Sequence, residues 1–183
     1  MRLYHGTTAG GLDILCANSY DRNGNPVLYL TDNRAYSLFY IRDRIVDFVT
    51  CGVGIDGVVH YDEKIPNQLE LLYQGKSGYI YEVEADAQPT NTNGIYVISQ
   101  NLQIVKSEYI PDVYDAICAE ISKGNVGVVH YEELTEEQRQ LNDEGMYRWF
   151  LAEQGMHPVK KAFLQAHFPE AWARAQNTLA QMK

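Results

Sequence analysis

The stretch QIVKSEYI, residues 103–110, carries the residue around which the rest of the chain can be arranged. Its apolar and polar positions alternate, which is typical of a β-strand, and Glu108 lies near the end of that strand. Two earlier segments, LYHGT at residues 3–7 and LYLT at residues 28–31, also predict strands. A His, a Tyr and a Glu on three separate strands are therefore candidates for one common site.

Further segments rich in Tyr, Val and Ile predict a sheet-forming region that extends to about residue 115. The strand candidates are residues 2–5, 27–31, 57–61, 78–83, 95–99 and 103–108. Several of them alternate in polarity, which favours antiparallel sheets with unlike faces. The segments GVVHYDE (57–63) and GVVHYEE (127–133) resemble each other, and we interpret them as two similar strand ends because a true repeat needs more units.

Helix signals lie between and after these strands. Thr31 or Asp32 can cap a helix that runs to about Arg44, and a second helix is expected to begin at Pro66 and to end before Gly75. In the C-terminal part, Thr135 and Gln138 have the spacing of a capping box, and Pro158 and Pro169 each predict a helix start. We therefore expect an α+β fold with a domain at residues 1–115 and a helical extension at residues 116–183.

Composition limits the partners and the compartment. The chain has 183 residues, 45% of them hydrophobic, and a formal net charge of -9 without a run of Lys and Arg. Such a surface repels phosphate backbones and anionic lipids, so neither nucleic acid nor a membrane is expected as a partner. An odd number of widely spaced cysteines predicts reduced core thiols and no metal site. Without a signal-peptide pattern, we expect a cytoplasmic protein.

Three segments carry residue types suited to holding a flat, polar ligand. Gly6 in His5-Gly6-Thr7 allows a ligand to approach the main chain closely, which a Cβ atom would block. Ser37 and Tyr40 follow Tyr29 by eight and eleven residues, and on a helix they would share one face. Two aromatic rings, one on a strand and one on the helix, could then enclose a planar ring beside a serine hydroxyl.

These residues resemble the signature of the ADP-ribosyltransferase superfamily, in its diphtheria-toxin and poly-ADP-ribose-polymerase branch. That signature places a His, a Tyr and a Glu on three strands, matched here by His5, Tyr29 and Glu108. Ser37 and Tyr40 fall where the family has its nicotinamide-contacting serine and tyrosine. The match covers about 110 residues, and it implies the family's fold of two split antiparallel sheets with flanking helices.

The resemblance implies NAD as a substrate and a role for each matched residue. His5 would hydrogen-bond the adenosine ribose, and Gly6 and Ser37 would hold the nicotinamide carboxamide, with Thr7 replacing the family's usual serine. Tyr29 and Tyr40 would stack on the nicotinamide ring. Glu108 would bind the nicotinamide ribose and stabilise the positive charge of the transition state, and no metal is implied.

The favoured interpretation is NAD-dependent mono-ADP-ribosyl transfer to an unknown acceptor, which is more readily a protein than a nucleic acid. Two other enzymatic readings stay open: hydrolysis of NAD with water as the acceptor, and the RNA 2'-phosphotransferase branch, against which the acidic composition argues. A catalytically silent module on the same fold, binding a nucleotide or a protein, is the alternative from another class. The C-terminal 70 residues are expected to form a helical cap or a target-recognition element.

Overall fold

The computed structural model of the protein describes residues 1–43, 50–153 and 155–182. These residues form two compact units. The first comprises residues 1–42, 50–62 and 69–128, and the second comprises residues 43, 63–68, 129–153 and 155–182. The domain boundary expected near residue 115 stays a prediction, while the two units divide the C-terminal half of the chain after residue 128.

The described part of the chain is an α+β protein. Its strands are β1 Arg2–Thr7, β2 Ile14–Leu15, β3 Ser19–Tyr20, β4 Pro26–Leu30, β5 Cys51–Val53, β6 Val59–Asp62, β7 Gly78–Glu84, β8 Tyr96–Ile98, β9 Leu102–Ile110 and β10 Val126–Val129. Its helices are α1 Arg34–Leu38, α2 Gln68–Tyr73, α3 Val113–Ser122, α4 Glu136–Ala152, α5 Pro158–His167 and α6 Pro169–Gln181. The expected α+β class is thus confirmed.

Two antiparallel sheets form the centre of the first unit. One has the strand order β1-β7-β9-β2 and the other the order β3-β4-β8. They pack through a shared apolar core, which contains Leu3, Leu15, Leu28, Leu30, Tyr81, Val83, Tyr96, Ile98 and Leu102. These residues come from strands of both sheets, because alternation directs every second side chain of a strand into the core.

The third sheet, of order β10-β6-β5, contains a parallel pair. The Val59 amide donates to the Asn125 carbonyl and the Glu63 amide to the Val129 carbonyl, so the bonds advance in the same direction along both strands. The two similar sequence segments thus lie on neighbouring strands. This pair differs from the antiparallel pairs of the other two sheets, because the long chain between β6 and β10 permits a parallel crossover.

The first two helices differ from their sequence predictions. Asn33, and not Thr31 or Asp32, caps α1, since its side chain accepts from the Tyr36 amide. α1 ends at Leu38, and the chain continues in tighter turns because Phe39 and Ile41 are fully buried and their packing overrides helical continuation. The expected helix end near Arg44 lies in residues 44–49, which are outside the described part of the chain.

α2 begins at Gln68, two residues later than expected from Pro66. Asn67 has a φ of 53°, a left-handed conformation that a right-handed helix cannot contain, so the helix begins only after it. Gly75, with a φ of 69°, follows the end of the helix as expected. Side-chain pattern alone could not reveal the backbone angle of Asn67.

The second unit is helical, as its sequence predicts. Thr135 and Gln138 form a reciprocal capping box at the start of α4, and Pro158 and Pro169 begin α5 and α6, so these three predictions are confirmed. Its core contains Ile65, Met146, Phe150, Leu164, Phe168, Ala171 and Ala175. Among the described helices, none has the length and apolar character needed to cross a membrane.

Candidate functional site

A wedge between β1 and β4 is the first element of the site. Tyr4 and Thr31 exchange both backbone hydrogen bonds, at 2.7 and 3.0 Å, and this pair is an isolated bridge between the two sheets. Past it, β1 and β4 do not pair further. Hydrogen-bonding groups alternate between the two edges of a strand, so Gly6, two residues after Tyr4, directs its N–H and C=O into this wedge toward Tyr29.

His5 spans the opening of the wedge. Its Nδ1 lies 3.0 Å from the carbonyl oxygen of Tyr29. A carbonyl oxygen can only accept a hydrogen bond, so Nδ1 carries the proton of this contact. His5 therefore links the two strands at the point where their backbone ladder has ended.

Gly6 lies directly beneath α1. A Cβ atom built at Gly6 would clash with the Ser37 carbonyl oxygen and would come within 3.2 Å of an Ile41 side-chain carbon. The Ser37 hydroxyl donates to the Arg34 carbonyl at 2.7 Å, and its side chain is fully buried. Glycine is thus required here for the close approach of α1. Independently of that contact, the N–H and C=O of Gly6 face the wedge.

Tyr29 and Tyr40 both line a small cleft at this wedge. The cleft has a volume of about 10 Å³ and is lined by Tyr4, His5, Gly6, Tyr29, Leu30, Thr31, Tyr40 and Ile95. Such a volume holds about one water molecule, so an aromatic ligand requires the cleft to widen. Tyr29 is 38% exposed, so it is the less enclosed of the two tyrosines that line the cleft.

Tyr40 is held more firmly. Its ring packs edge-on against Tyr36 at a centroid distance of 5.3 Å, and the Arg42 guanidinium lies 5.4 Å from its centroid. Burial, followed by its hydrogen bond with Tyr36, raises the pKa of Tyr40 far above its ordinary value. The hydroxyl therefore stays protonated, and the Tyr40 side chain that lines the cleft is neutral.

A larger cavity of about 1330 Å³ lies in the same unit and contains Glu108. Glu108 pairs with Arg34 through two contacts: Nη2 to Oε1 at 2.5 Å and Nε to Oε2 at 3.2 Å. This is the bidentate geometry that matches a planar guanidinium to a carboxylate. The Glu108 side chain nevertheless remains 41% exposed and lines the cavity.

Glu120 holds the other side of the same guanidinium. Its Oε1 lies 3.3 Å from Arg34 Nη1, and it accepts hydrogen bonds from Lys123 Nζ at 2.9 Å and from Asn125 Nδ2 at 2.6 Å. Burial by itself raises the pKa of Glu120, but the hydrogen bonds from Asn125 and Lys123 and the nearby positive charges outweigh it and lower that pKa overall. Glu120 is therefore ionised at neutral pH.

The small cleft and the larger cavity have adjacent walls. Thr31 and Ile95 line the cleft, whereas their chain neighbours Asp32 and Gly94 line the cavity. The Tyr96 hydroxyl donates to Asp32 Oδ2 at 2.9 Å, and this hydrogen bond raises the pKa of Tyr96. The bond ties β8 to the segment that separates the two spaces.

Sheet register relates the two spaces further. Gly6 pairs with Ile80 of β7, and Ile80 pairs with Glu108 of β9. The three residues form one row across the sheet, so Gly6 and Glu108 are two strand spacings apart, about 10 Å, and their Cα substituents share one face. α1 packs on that face and carries Arg34 to Glu108.

The sequence-predicted residues are thus distributed over several places. The structure brings His5, Gly6, Tyr29 and Tyr40 together in the cleft, and places Glu108 in the neighbouring cavity. The hydroxyls of Ser37 and Thr7 have local partners: Ser37 donates within α1, and Thr7 Oγ1 accepts from the Ala9 amide at 3.2 Å. Neither residue lines the cleft or the cavity.

Sequence reasoning missed Arg34 and Glu120. Arg34 follows the capping residue of α1, and Glu120 lies within α3, so in the sequence both have the pattern of solvated helix residues. The one sequence signal for Arg34 was its position shortly after β4, the strand that carries Tyr29. Glu108 and Glu120 are 74 and 86 residues away from Arg34 in the sequence, a separation that no local pattern encodes.

The expected core position of the cysteines is wrong for Cys16, which is exposed, while Cys51 and Cys118 are half-buried. Burial raises the pKa of the Cys51 thiol to about 12, which keeps it protonated and unreactive as a nucleophile. In the described ranges, no group of three or more His, Cys, Asp or Glu residues is arranged to hold a metal ion.

No protein-family model matches the chain, and comparisons with curated proteins and with solved structures give no match. The likeness to the ADP-ribosyltransferase superfamily therefore rests on the residues of this chain alone.

Proposed function

We propose that the protein binds NAD and transfers its ADP-ribosyl group to an acceptor, with release of nicotinamide. The observation that carries this proposal is the row of Gly6, Ile80 and Glu108, which joins the open edge of β1 to a carboxylate in the adjacent cavity. The proposal requires the glycosidic bond of a carboxamide-bearing ring at that edge to come within reach of Glu108, which lies about 10 Å from Gly6.

Recognition of nicotinamide would use the backbone of Gly6 and two tyrosine rings. The N–H and C=O of one extended residue form a donor and an acceptor, which is the complement of a carboxamide. The aromatic rings of Tyr29 and Tyr40 suit stacking on an electron-poor cationic ring. Because the cleft has a volume of only about 10 Å³, binding must include movement of Tyr29 or its strand.

The chemistry assigned to Glu108 follows from charge. Cleavage of the bond between nicotinamide and ribose develops positive charge on the ribose, and the bonding electrons leave with nicotinamide. A fixed carboxylate stabilises that charge more in the transition state than in the ground state. The acceptor nucleophile then forms the new bond at the same carbon and loses a proton.

A protein acceptor fits this charge distribution better than a nucleic acid. The cavity is lined by the carboxylates of Asp32, Glu108, Asp112, Asp115 and Glu120 and by the cations of Arg34 and Lys123. This excess of negative charge, together with the net charge of -9, disfavours a polyanion. If no acceptor is bound, water is the remaining nucleophile and the reaction is NAD hydrolysis.

A silent binding module is the second candidate, and three observations favour it. The bidentate contact with Arg34 already engages both oxygens of Glu108, and the cleft is closed in this structure. The acidic cavity also opposes the pyrophosphate of a dinucleotide. Such a module would bind its ligand without releasing nicotinamide.

Nicotinamide release distinguishes the two candidates. Purified wild type and the Glu108→Gln variant are incubated with NAD, with and without cell extract to supply an acceptor, and free nicotinamide is quantified. Loss of the carboxylate charge is expected to slow release about 10²- to 10³-fold while changing NAD affinity far less, since Gln keeps the shape.

Glu82→Gln is the matched control. Glu82 lies on β7 of the same sheet and pairs with Arg2 at 2.7 Å, but it does not line the cavity. It should release nicotinamide at the wild-type rate. Equal rates for wild type and Glu108→Gln would exclude a catalytic Glu108, and NAD binding without release by the wild type would establish the silent module.

A further inference from the structure

Arg34 is the centre of a charge network that the sequence motif does not contain. Its guanidinium contacts Glu108 with Nη2 and Nε and contacts Glu120 with Nη1. One planar cation therefore joins the carboxylate of β9 to that of α3. All three side chains line the same cavity.

The backbone of Arg34 gives this side chain a fixed base. Asn33 caps α1 through the Tyr36 amide, and its Nδ2 also donates to the Gly57 carbonyl at 2.8 Å. The Ser37 hydroxyl donates to the Arg34 carbonyl. A cation in the first turn of a helix lies near partial positive charge, so helix stability does not explain Arg34 there.

Glu120 fixes the far side of the guanidinium. It is 8% exposed and is held by hydrogen bonds from Lys123 and Asn125. Its pKa is lowered, so it remains a carboxylate at neutral pH and continues to attract Arg34. The position of Arg34 is thus determined from α1 and from α3 before it meets Glu108.

We propose that Arg34, anchored by Glu120, is a positioning residue that orients the Glu108 carboxylate toward the bond that breaks. This inference rests on the function proposed above. Two carboxylates share one guanidinium, so the trio keeps a net negative charge. A carboxylate has about four lone-pair sites, and a bidentate arginine uses two, which leaves acceptor capacity for a ribose hydroxyl.

The Arg34→Ala variant tests this role. Without the guanidinium, Glu108 can rotate, and a misoriented catalytic group costs about 10- to 100-fold in rate. We expect kcat for nicotinamide release to fall by that factor while KM for NAD changes by less than about threefold, since the lost interaction acts in the transition state. Arg34→Lys should restore only part of the rate, because an ammonium group cannot form the two parallel contacts.

Chemical rescue separates positioning from general structural support. Guanidinium chloride at non-denaturing concentration should restore part of the Arg34→Ala rate, and urea, which has a similar shape without the charge, should not. Arg2→Ala is the matched control, because Arg2 also pairs with a glutamate of this sheet and does not line the cavity. Its rate should be that of the wild type, with no response to guanidinium.

The outcomes distinguish this inference from the function on which it rests. Wild-type release with an unchanged or faster Arg34→Ala variant would overturn positioning and leave the proposed function standing. Absence of release by the wild type would overturn both. If Arg34→Ala does not fold, the Arg34→Lys and Glu120→Gln variants test the proposal instead. Each is expected to lower kcat by a larger factor than it raises KM. Wild-type kinetics in both variants would refute the proposal.

Discussion

The carbonyl oxygen of Ser37 lies so close to Gly6 that it would clash with the Cβ atom of any other residue at that position. This contact holds α1 against β1. It thereby sets the positions of Arg34, the first residue of α1, and of Tyr40, which follows the helix. The glycine of the matched motif is required by packing inside the protein, before any ligand is considered.

Gly6→Ala should therefore destabilise the fold. The obstructing atom belongs to the backbone of α1, so the clash cannot be relieved by a side-chain rotation, and overpacking of this kind costs about 1–3 kcal/mol or more. Denaturant unfolding measures the loss. Gly52→Ala on β5 is the control, since nothing lies within 4 Å of a Cβ built there and its stability should change by less than about 0.5 kcal/mol. Equal stability of the two variants would contradict the packing account.

Tyr40→Ala should weaken NAD binding by about 1–3 kcal/mol, because an aromatic contact with the nicotinamide ring is removed. Calorimetric titration of the folded variant measures this loss. Tyr20→Ala provides the control, since Tyr20 is 71% exposed on β3 and lines neither space. Unchanged affinity in a folded Tyr40→Ala protein would remove Tyr40 from the binding site.

His5→Ala should lower NAD affinity and leave the pH dependence of turnover unaltered in shape. The imidazole joins β1 to the Tyr29 carbonyl at the wedge, so its loss disturbs the geometry of the cleft and removes a ligand contact. The measurements are the dissociation constant of NAD and the pH profile of kcat/KM. Intact binding combined with a lost ionisation would show that His5 is a general base.

The lowered pKa of Glu120 predicts a specific dependence of stability on pH. Its pKa is lowered in the folded protein from 4.5, so its contribution is fully present above the unfolded pKa and is lost as pH falls through the folded pKa. Glu120→Gln should therefore be less stable than wild type at neutral pH, and the difference should shrink as the pH is lowered below about 4.5. Denaturation midpoints across this range measure it. A difference that is constant with pH would show that lost packing, and not lost charge, causes the effect.

Local patterns in the sequence were sufficient for the elements whose signals are local. The capping box at Thr135 and the prolines at 158 and 169 marked helix starts correctly, because capping depends on residues within one turn. The main strands were identified by alternation. The helix that was expected to run from Thr31 to about Arg44 is present but shorter in the described residues, since α1 is capped by Asn33 and ends at Leu38, next to the buried Phe39 and Ile41.

For the candidate site, the sequence by itself determined which residue types stand on which strands: His5 and Gly6 on β1, Tyr29 on β4 and Glu108 on β9. Tertiary structure alone decided that the first three share a cleft with Tyr40, and that Glu108 lies in a different space held by Arg34 and Glu120. The reason is physical. Alternation and capping act over a few residues, whereas an ion pair joins whichever charges the completed sheets and helices bring within reach.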